Sequence, residues 1–164
     1  AMIVMLSHGL VSGALFMAVG VIYDRLHTRE IDRYGGIAIN MPYYALFFML
    51  FTMASVGLPG TSGFVGEFMV ILAAVKFNFW IGATAATIMI VGAAYTLWMY
   101  KRVIYGAVAN AHVAALKDLD RREFWLLGAL AAAVLIMGVW PKPFIDVMHV
   151  SVVDLLAHVA KTKL

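Results

Sequence analysis

The chain has 164 residues, of which 64% are hydrophobic and only 13% are charged. Soluble domains have about 45–50% apolar and about 25% charged residues, so this composition excludes a disordered chain, a fibrous repeat and an ordinary soluble enzyme. Cysteine is absent, which excludes disulfides and thiolate metal sites, and the net charge of +3 is too small to indicate nucleic-acid binding. We therefore predict a membrane protein.

The charged residues are clustered, and the uncharged stretches between the clusters have the length of a membrane span, for which about 20 apolar residues are needed. These stretches predict four transmembrane helices, at about 2–23, 43–75, 79–100 and 124–140. The predicted fold class is therefore all-α, a polytopic transmembrane helix bundle.

The second span is too long for one straight crossing, and it contains three glycines and a proline within seven residues. Such residues interrupt the hydrogen bonding of a helix. We therefore predict a discontinuous helix, with halves at about 43–56 and 64–75 and a break at 57–63 inside the membrane. The residues of the predicted break are Gly57, Pro59, Gly60 and Gly63.

The positions of Lys and Arg predict the orientation of the chain. The polar loop at 24–42 has three Arg, and the loop at 101–123 has two Lys and three Arg, whereas the turn after the second span has only Lys76. Because loops with excess Lys and Arg stay in the cytoplasm, both loops are predicted to face it. Two spans separate the loops, which also places them on the same side of the membrane.

The segment after the fourth span has a different pattern. Apolar residues recur at helical spacing over about 144–160, and charged residues occupy the other side. This predicts an amphipathic helix that lies in the membrane interface or against a partner. Asp146, His149 and His158 fall in this segment, but their spacing matches no metal-site pattern, so we expect a solvated face there and no metal.

Glu67 is the strongest candidate for a functional residue. It is the only charged residue between Gly35 and Val75, and it follows the predicted break directly. Ionisable side chains inside a membrane are costly and usually belong to ion or proton pathways, and a broken helix is tolerated only within protein or beside water. We therefore predict a proton or ion site. The alternative is a glutamate that only caps a helix or reaches for the membrane surface.

His8 is the second candidate. It lies inside the first span between Ser7 and Gly9. A neutral histidine has one donor and one acceptor nitrogen, so it can pass protons. An interhelical hydrogen bond without a role in transport is an equally open interpretation.

The third span offers weaker candidates. Thr84 and Thr87 share a face of the helix, with Tyr95 further along, but threonine hydroxyls in membrane helices often bond to carbonyls of their own helix, which favours a structural role. Lys101 and Arg102 end this span and are expected to anchor it at the membrane surface.

Four segments resemble a known family, at 5–16, 27–36, 57–68 and 97–106. Together they resemble the M subunits of bacterial NADH:quinone oxidoreductase, respiratory complex I, whose mitochondrial counterpart is subunit 4. These belong to the antiporter-like proton-translocating subunits. The resemblance covers essentially the whole chain and places it as a C-terminal fragment, with the last four of the family's fourteen membrane helices.

The resemblance implies roles for both candidates. The essential glutamate of the family's discontinuous helix falls on Glu67, and a histidine of the preceding helix falls on His8. The implied function is a subunit that couples NADH:quinone electron transfer to proton pumping, without redox chemistry, cofactor or metal in this chain. NADH, FMN, iron–sulfur clusters and quinone are expected in other subunits. The implied partners are the other membrane subunits and lipid, in the bacterial inner membrane.

Three alternatives stay open at this point. A subunit of a multi-subunit cation/proton antiporter would share the broken helix and could use Glu67 with sodium. A membrane subunit of a hydrogenase-type complex would share it as well. The third alternative is a purely structural membrane segment that only scaffolds its partners.

Overall fold

The computed structural model describes residues 2–162, which form a bundle of helices with no strand in that part of the chain. The four long helices are α1 (Met2–Leu26), α5 (Phe79–Ile104), α7 (Arg121–Val139) and α8 (Lys142–Thr162). In a membrane only a helix satisfies all backbone groups within one segment, which explains why apolar stretches of this length become helices. The predicted all-α fold class is confirmed.

The discontinuous helix consists of α3 (Pro42–Ser55) and α4 (Ser62–Phe77), separated by the non-helical residues 56–61. The interruption begins one residue before the predicted break at 57–63 and ends two residues before it does. Gly63 lies in the first turn of α4 rather than in the break, because α4 begins directly beside the end of α3 and a glycine makes that close approach possible.

The two polar loops contain a short 3₁₀ turn (Ile31–Arg33) and two short helices, α2 (Ile37–Asn40) and α6 (Ala111–Ala114). The loops contact each other: the side-chain amide of Asn40 donates to the carbonyl of Val113 at 3.0 Å. They therefore form one end of the bundle, called here the polar-loop end. This agrees with the prediction that both loops lie on one side, while the side of the membrane that they face stays a prediction.

α1 packs against α3, α4 and α7 and holds the bundle together. The buried core has two parts. The part at the polar-loop end includes Ala18, Ile22, Tyr44, Phe48, Tyr100 and Ile104. The part nearer the break includes Val11, Ala14, Phe51, Ala54, Leu127, Ala131 and Val134. The first turns of α1 pack against α4.

α7 begins three residues before the predicted span because of its N-terminal hydrogen bonds. The Asp120 carboxylate accepts the amide of Glu123 at 2.7 Å, and the Glu123 carboxylate accepts the amide of Asp120 at 2.8 Å. This capping box satisfies two amide groups that the helix leaves unpaired. The polar residues before the apolar span thus become part of the helix.

Four described helices are long and apolar enough to cross a membrane: α1, α5, α7 and Lys142–Lys161 of α8. Length and composition therefore also permit a membrane crossing for the segment predicted as an amphipathic helix at 144–160. Apolar residues of α8 such as Val147 and Val150 are exposed. Its position in the membrane interface stays a prediction.

Candidate functional site

α3 ends in a Schellman motif. The amide of Leu58 donates to the carbonyl of Met53 at 3.0 Å, and the amide of Gly57 donates to the carbonyl of Ala54 at 3.3 Å. Gly57 has a φ of +77°, in the left-handed region that glycine adopts without a Cβ penalty. The first half of the discontinuous helix is thus ended by its own backbone hydrogen bonds.

The break continues through Pro59 and Gly60. Gly60 is also left-handed, with a φ of +91°. The amide and the hydroxyl of Thr61 both donate to the carbonyl of Leu58, at 3.1 and 2.7 Å. These local bonds replace part of the helical hydrogen bonding that is lost, which matters because unpaired backbone groups are costly in a membrane.

Two glycines, Gly63 and Gly138, allow backbone segments to approach closely at the break. A Cβ on Gly63 would collide with the carbonyl of Ala54. A Cβ on Gly138 of α7 would collide with the carbonyl of Gly60 and the backbone of Thr61. The break is therefore in direct contact with protein on the α7 side.

Glu67 lies on α4, and its side chain runs back over the break. Its Oε2 atom lies 2.5 Å from the position that a Cβ would take on Gly57, and the methyl group of Met89 lies 3.1 Å from that position. Helical side chains lean toward the N-terminus of their helix, which explains this direction. Within residues 2–162, Glu67 has no hydrogen-bond or ion-pair partner.

His8 and Glu67 line the same cavity, whose volume is about 290 Å³. Glu67 is half-buried and His8 is exposed, so the histidine lies toward the open side. Ser7, Ser12 and Ser55 also line the cavity. The apolar part of the wall includes Val4, Val11, Leu15, Phe16, Val19 and Ala54. The cavity has room for several water molecules, and its five polar side chains can hydrogen-bond to them. The structure thus brings together the two residues predicted from the sequence.

The packing of α1 on α4 sets the positions of His8 and Glu67 along the axis of the bundle. Ser7 Oγ donates to Ser62 Oγ at 2.8 Å, and a Cβ on Gly66 would lie 2.6 Å from Cγ2 of Val4. The two pairs show that the helices run antiparallel. With a rise of 1.5 Å per residue, His8 lies about 6 Å along α1 from Val4. No hydrogen bond joins the imidazole to the carboxyl, and the cavity has room for water between them.

The predictions about the two threonines of the third span are consistent with the structure. The Thr84 hydroxyl donates to the carbonyls of Trp80 and Ile81 at 3.0 and 2.9 Å, and the Thr87 hydroxyl donates to the carbonyl of Thr84 at 2.7 Å. Both hydroxyls serve their own helix. Tyr95 is exposed and does not line the cavity.

Lys101 and Arg102 lie at the polar-loop end, far along α5 from the break. Arg102 forms an ion pair with Asp32 and lies over the ring of Trp98, 5.5 Å from its centroid. Lys101 is exposed. Both positions fit the predicted surface anchors.

Within residues 2–162, no group of three or more His, Cys, Asp or Glu side chains is arranged to hold a metal ion. Asp146, His149 and His158 of α8 form no such group. A solvated face therefore stays the interpretation of these residues.

Arg25 joins α1 to α7 at the polar-loop end. Its guanidinium donates to the two carboxylate oxygens of Glu123 at 2.9 and 2.7 Å. It also donates to the carbonyls of Val21, Lys117 and Asp118, at 2.9, 3.1 and 3.3 Å. Arginine has five N–H donors, so these five hydrogen bonds give each donor an acceptor. The sequence shows Arg25 only as one of the charges of the polar loop at 24–42.

Asp118 caps the start of α3 from a distant part of the chain. Its carboxylate accepts the amides of Tyr43 and Tyr44 at 2.9 and 3.1 Å, and that of Leu119 at 2.8 Å. The N-cap residue of α3, Met41, gives no side-chain hydrogen bond. The cap that α3 lacks locally is thus supplied by the other polar loop.

The loop after α1 folds back on itself. His27 is left-handed with a φ of +49°, and its amide donates to the carbonyl of Tyr23 at 2.7 Å. The Tyr34 hydroxyl donates to the carbonyl of Thr28. Burial raises the pKa of Tyr34, so the hydroxyl keeps the proton that this bond needs.

Serines are the site residues that the sequence did not single out. Ser12 follows His8 by one helical turn and therefore shares its face. Ser55 is the last residue of α3, and Ser7 and Ser62 are joined by a hydrogen bond. The spacing of Ser12 from His8 is the signal that could have identified it.

The region that contains this site matches a known family. Residues 1–92 match the family model described as NADH:quinone oxidoreductase/Mrp antiporter, TM. They include α1, the break and α4, with both His8 and Glu67. The chain belongs to this family. The antiporter-like family is a transmembrane family, which agrees with the composition and with the four apolar helices.

Named relatives within the antiporter-like family extend over nearly the whole chain. NADH-quinone oxidoreductase subunit M of Rhodobacter capsulatus is 50% identical over 152 residues, which are 93% of this chain and 30% of that protein. The chain therefore spans less than a third of the length of this relative.

Two solved structures have the same fold. Respiratory complex I from Thermus thermophilus with bound NADH has a TM-score of 0.77 at 36% identity, with 85% of this chain and 29% of that chain covered. The membrane-bound sulfane sulfur reductase, an archaeal respiratory membrane complex, has a TM-score of 0.75 at 26% identity, with 82% of this chain and 22% of that chain covered.

Proposed function

We propose that this chain is part of a proton-translocating membrane subunit of a complex I type NADH:quinone oxidoreductase, in which Glu67 and His8 transfer protons. The observation that carries the proposal is that both side chains line one cavity beside the broken helix. Within residues 2–162, neither side chain has a hydrogen-bond partner. Each is therefore available to exchange a proton with cavity water.

The two groups have complementary chemistry. A neutral imidazole can accept a proton at one nitrogen and donate one from the other, and a carboxyl group can hold or release one. Charges are poorly screened in a membrane, so the protonation of one group changes the free energy of protonating the other. A charge that arrives at one end of the cavity can thus move a proton at the other end.

The relatives favour a complex I type subunit over the alternatives. The relative with 50% identity is named as a subunit of NADH-quinone oxidoreductase. The family description also includes Mrp antiporters, and the sulfane sulfur reductase is similar at only 26% identity. Because the chain spans 30% of the Rhodobacter relative, we assign proton pumping to the full subunit within its complex.

We assign the redox chemistry to other subunits. The chain has no cysteine, and cysteine thiolates are the side chains that bind nearly all iron–sulfur clusters. NADH, FMN and quinone would likewise bind elsewhere. The partners of this chain would be the other membrane subunits and lipid, and its location the bacterial inner membrane.

The test is Glu67→Gln in the full complex. Glutamine keeps the size of the side chain but cannot carry the proton, so we expect a loss of about 100-fold in NADH-driven proton pumping, the size typical of a lost proton-transfer group. Quinone-linked NADH oxidation should fall with it. Both are measured in inverted membrane vesicles, with the amount of assembled complex determined in parallel.

The matched control is Glu30→Gln, because Glu30 is exposed in the polar loop and pairs with Arg33 at 2.6 Å. This variant should pump normally. Normal pumping by an assembled Glu67→Gln complex would contradict the proposed function.

A further inference from the structure

The position of α4 depends on its lateral contacts. Residues 56–61 interrupt the backbone hydrogen bonds that would otherwise join α4 to α3 as one helix. α4 is therefore held by its neighbours α1, α5 and α7. Any contact that fixes its rotation also fixes the direction of the Glu67 side chain.

The hydrogen bond between Ser7 and Ser62 is the directional contact on the α1 side. The Oγ atoms are 2.8 Å apart, and the two residues are only 3% and 0% exposed. By contrast, the side-chain pairs Arg25–Glu123, Arg33–Glu30 and Arg102–Asp32 lie at the polar-loop end, away from α4. The neighbouring contact of Val4 with Gly66 is apolar, so it limits the distance between the helices without selecting a rotation.

This pair joins the two helices that carry the proton-transfer candidates. Ser7 precedes His8 on α1 and lines the cavity. Ser62 is the first residue of α4, and Glu67 follows in the second turn. The bond thus connects the helix that carries the imidazole to the half-helix that carries the carboxyl group.

We propose that Ser7 and Ser62 are positioning residues, whose hydrogen bond holds α4 at the rotation that keeps the Glu67 carboxyl over Gly57 and facing the cavity that it shares with His8. This inference rests on the proposed function of His8 and Glu67 and adds two residues that act through them. Without the bond, the remaining hydroxyl is buried without its partner, and α4 turns to satisfy it elsewhere.

The experiment uses Ser7→Ala, Ser62→Ala and the double variant in the full complex. Each single variant should pump about three- to tenfold more slowly, the size of one lost hydrogen bond. The double variant should lose no more pumping than either single variant, because the same bond is lost in all three and the double variant leaves no hydroxyl buried without a partner. Thr87→Ala is the control, since it removes a membrane hydroxyl that bonds only to its own helix.

The pH dependence of pumping separates positioning from a merely structural role. The titratable side chains on the cavity wall are Glu67 and His8; α3 contributes Ser55 to the wall, and α5 contributes Met89 beside the carboxyl. A turn of α4 changes the surroundings of the carboxyl, so the pH profile should shift in the serine variants and stay unchanged in Thr87→Ala.

Three results would overturn the inference: pumping by the serine variants equal to that of Thr87→Ala, additive losses in the double variant, or reduced assembly with an unshifted pH profile. The Glu67→Gln variant distinguishes failure of the positioning role from failure of the proposed function. If Glu67→Gln is inactive and the serine variants behave like Thr87→Ala, only the positioning role is wrong. If Glu67→Gln pumps normally, the proposed function itself is wrong.

Discussion

Replacing Gly57 by alanine tests how closely the break and Glu67 depend on each other. The φ of +77° at Gly57 costs a residue with a Cβ about 1–2 kcal/mol. The new Cβ would also lie 2.5 Å from Oε2 of Glu67, well inside van der Waals contact, so the carboxyl must move by about 1 Å. Because a displacement of about 1 Å at a reacting group can slow a reaction about 100-fold, we expect a pumping loss approaching that factor.

Gly60→Ala is the matched control for this prediction. Gly60 is left-handed too, with a φ of +91°, but nothing lies within 4 Å of the position of its Cβ. It should therefore lose about the same 1–2 kcal/mol of stability without moving Glu67. Thermal denaturation of the purified complexes measures the stability, and NADH-driven pumping in vesicles measures the function. Similar pumping losses in both variants, or normal pumping by Gly57→Ala, would refute the reasoning.

Two further predictions concern His8 and Asp118. His8→Ala should reduce pumping less than Glu67→Gln does, because water can occupy the place of the imidazole in the cavity; vesicle assays of both variants measure this, and equally complete losses would show that the two residues are ranked wrongly. Asp118→Ala removes the acceptor of three amides and should destabilise the start of α3 by about 1–2 kcal/mol, seen as a lower midpoint of thermal denaturation than in Asp154→Ala, an exposed aspartate of α8. Equal midpoints would show that the cap contributes nothing to stability.

The break could be located from the sequence because its causes are local. Gly57 and Gly60 supply left-handed backbone, and Pro59 lacks an amide proton, whatever the rest of the protein does. Gly63 was misplaced because glycine has two uses. Here it provides space beside Ala54 inside a regular helix, and a sequence does not distinguish that use from a turn.

The sequence indicates those residues of the candidate site that are of a type rarely found in membrane spans. Glu67 stood out because membrane spans contain few charges. The bond between Ser7 and Ser62 could not be predicted, because it depends on the register of two helices that are distant in the chain. Serine is also common in membrane helices without any special role, so neither residue stood out by type.

The composition predicts the polar loops, but it does not predict the contacts between them. Excess Lys and Arg predict that both loops lie on one side of the membrane, and the loops do lie at the same end of the bundle. The partners of Arg25 and Asp118 are set by the way two loops fold against each other, far apart in the chain. Charge counts carry no information about such pairings.

An unbroken helix is a stiff rod, and a push at one membrane surface reaches the other through its hydrogen bonds. The interruption at 56–61 removes that route from the second membrane crossing. An axial displacement that enters α3 through Asp118 travels no further than Gly57 along the backbone. Beyond that point it must pass sideways, through the direct contact of Gly63 with Ala54, into α7 where Gly138 lies against the break, or through the other neighbours of α4. The half-helix that begins at the polar loops and the half-helix that carries the carboxyl are therefore coupled through lateral packing rather than through a continuous helix backbone.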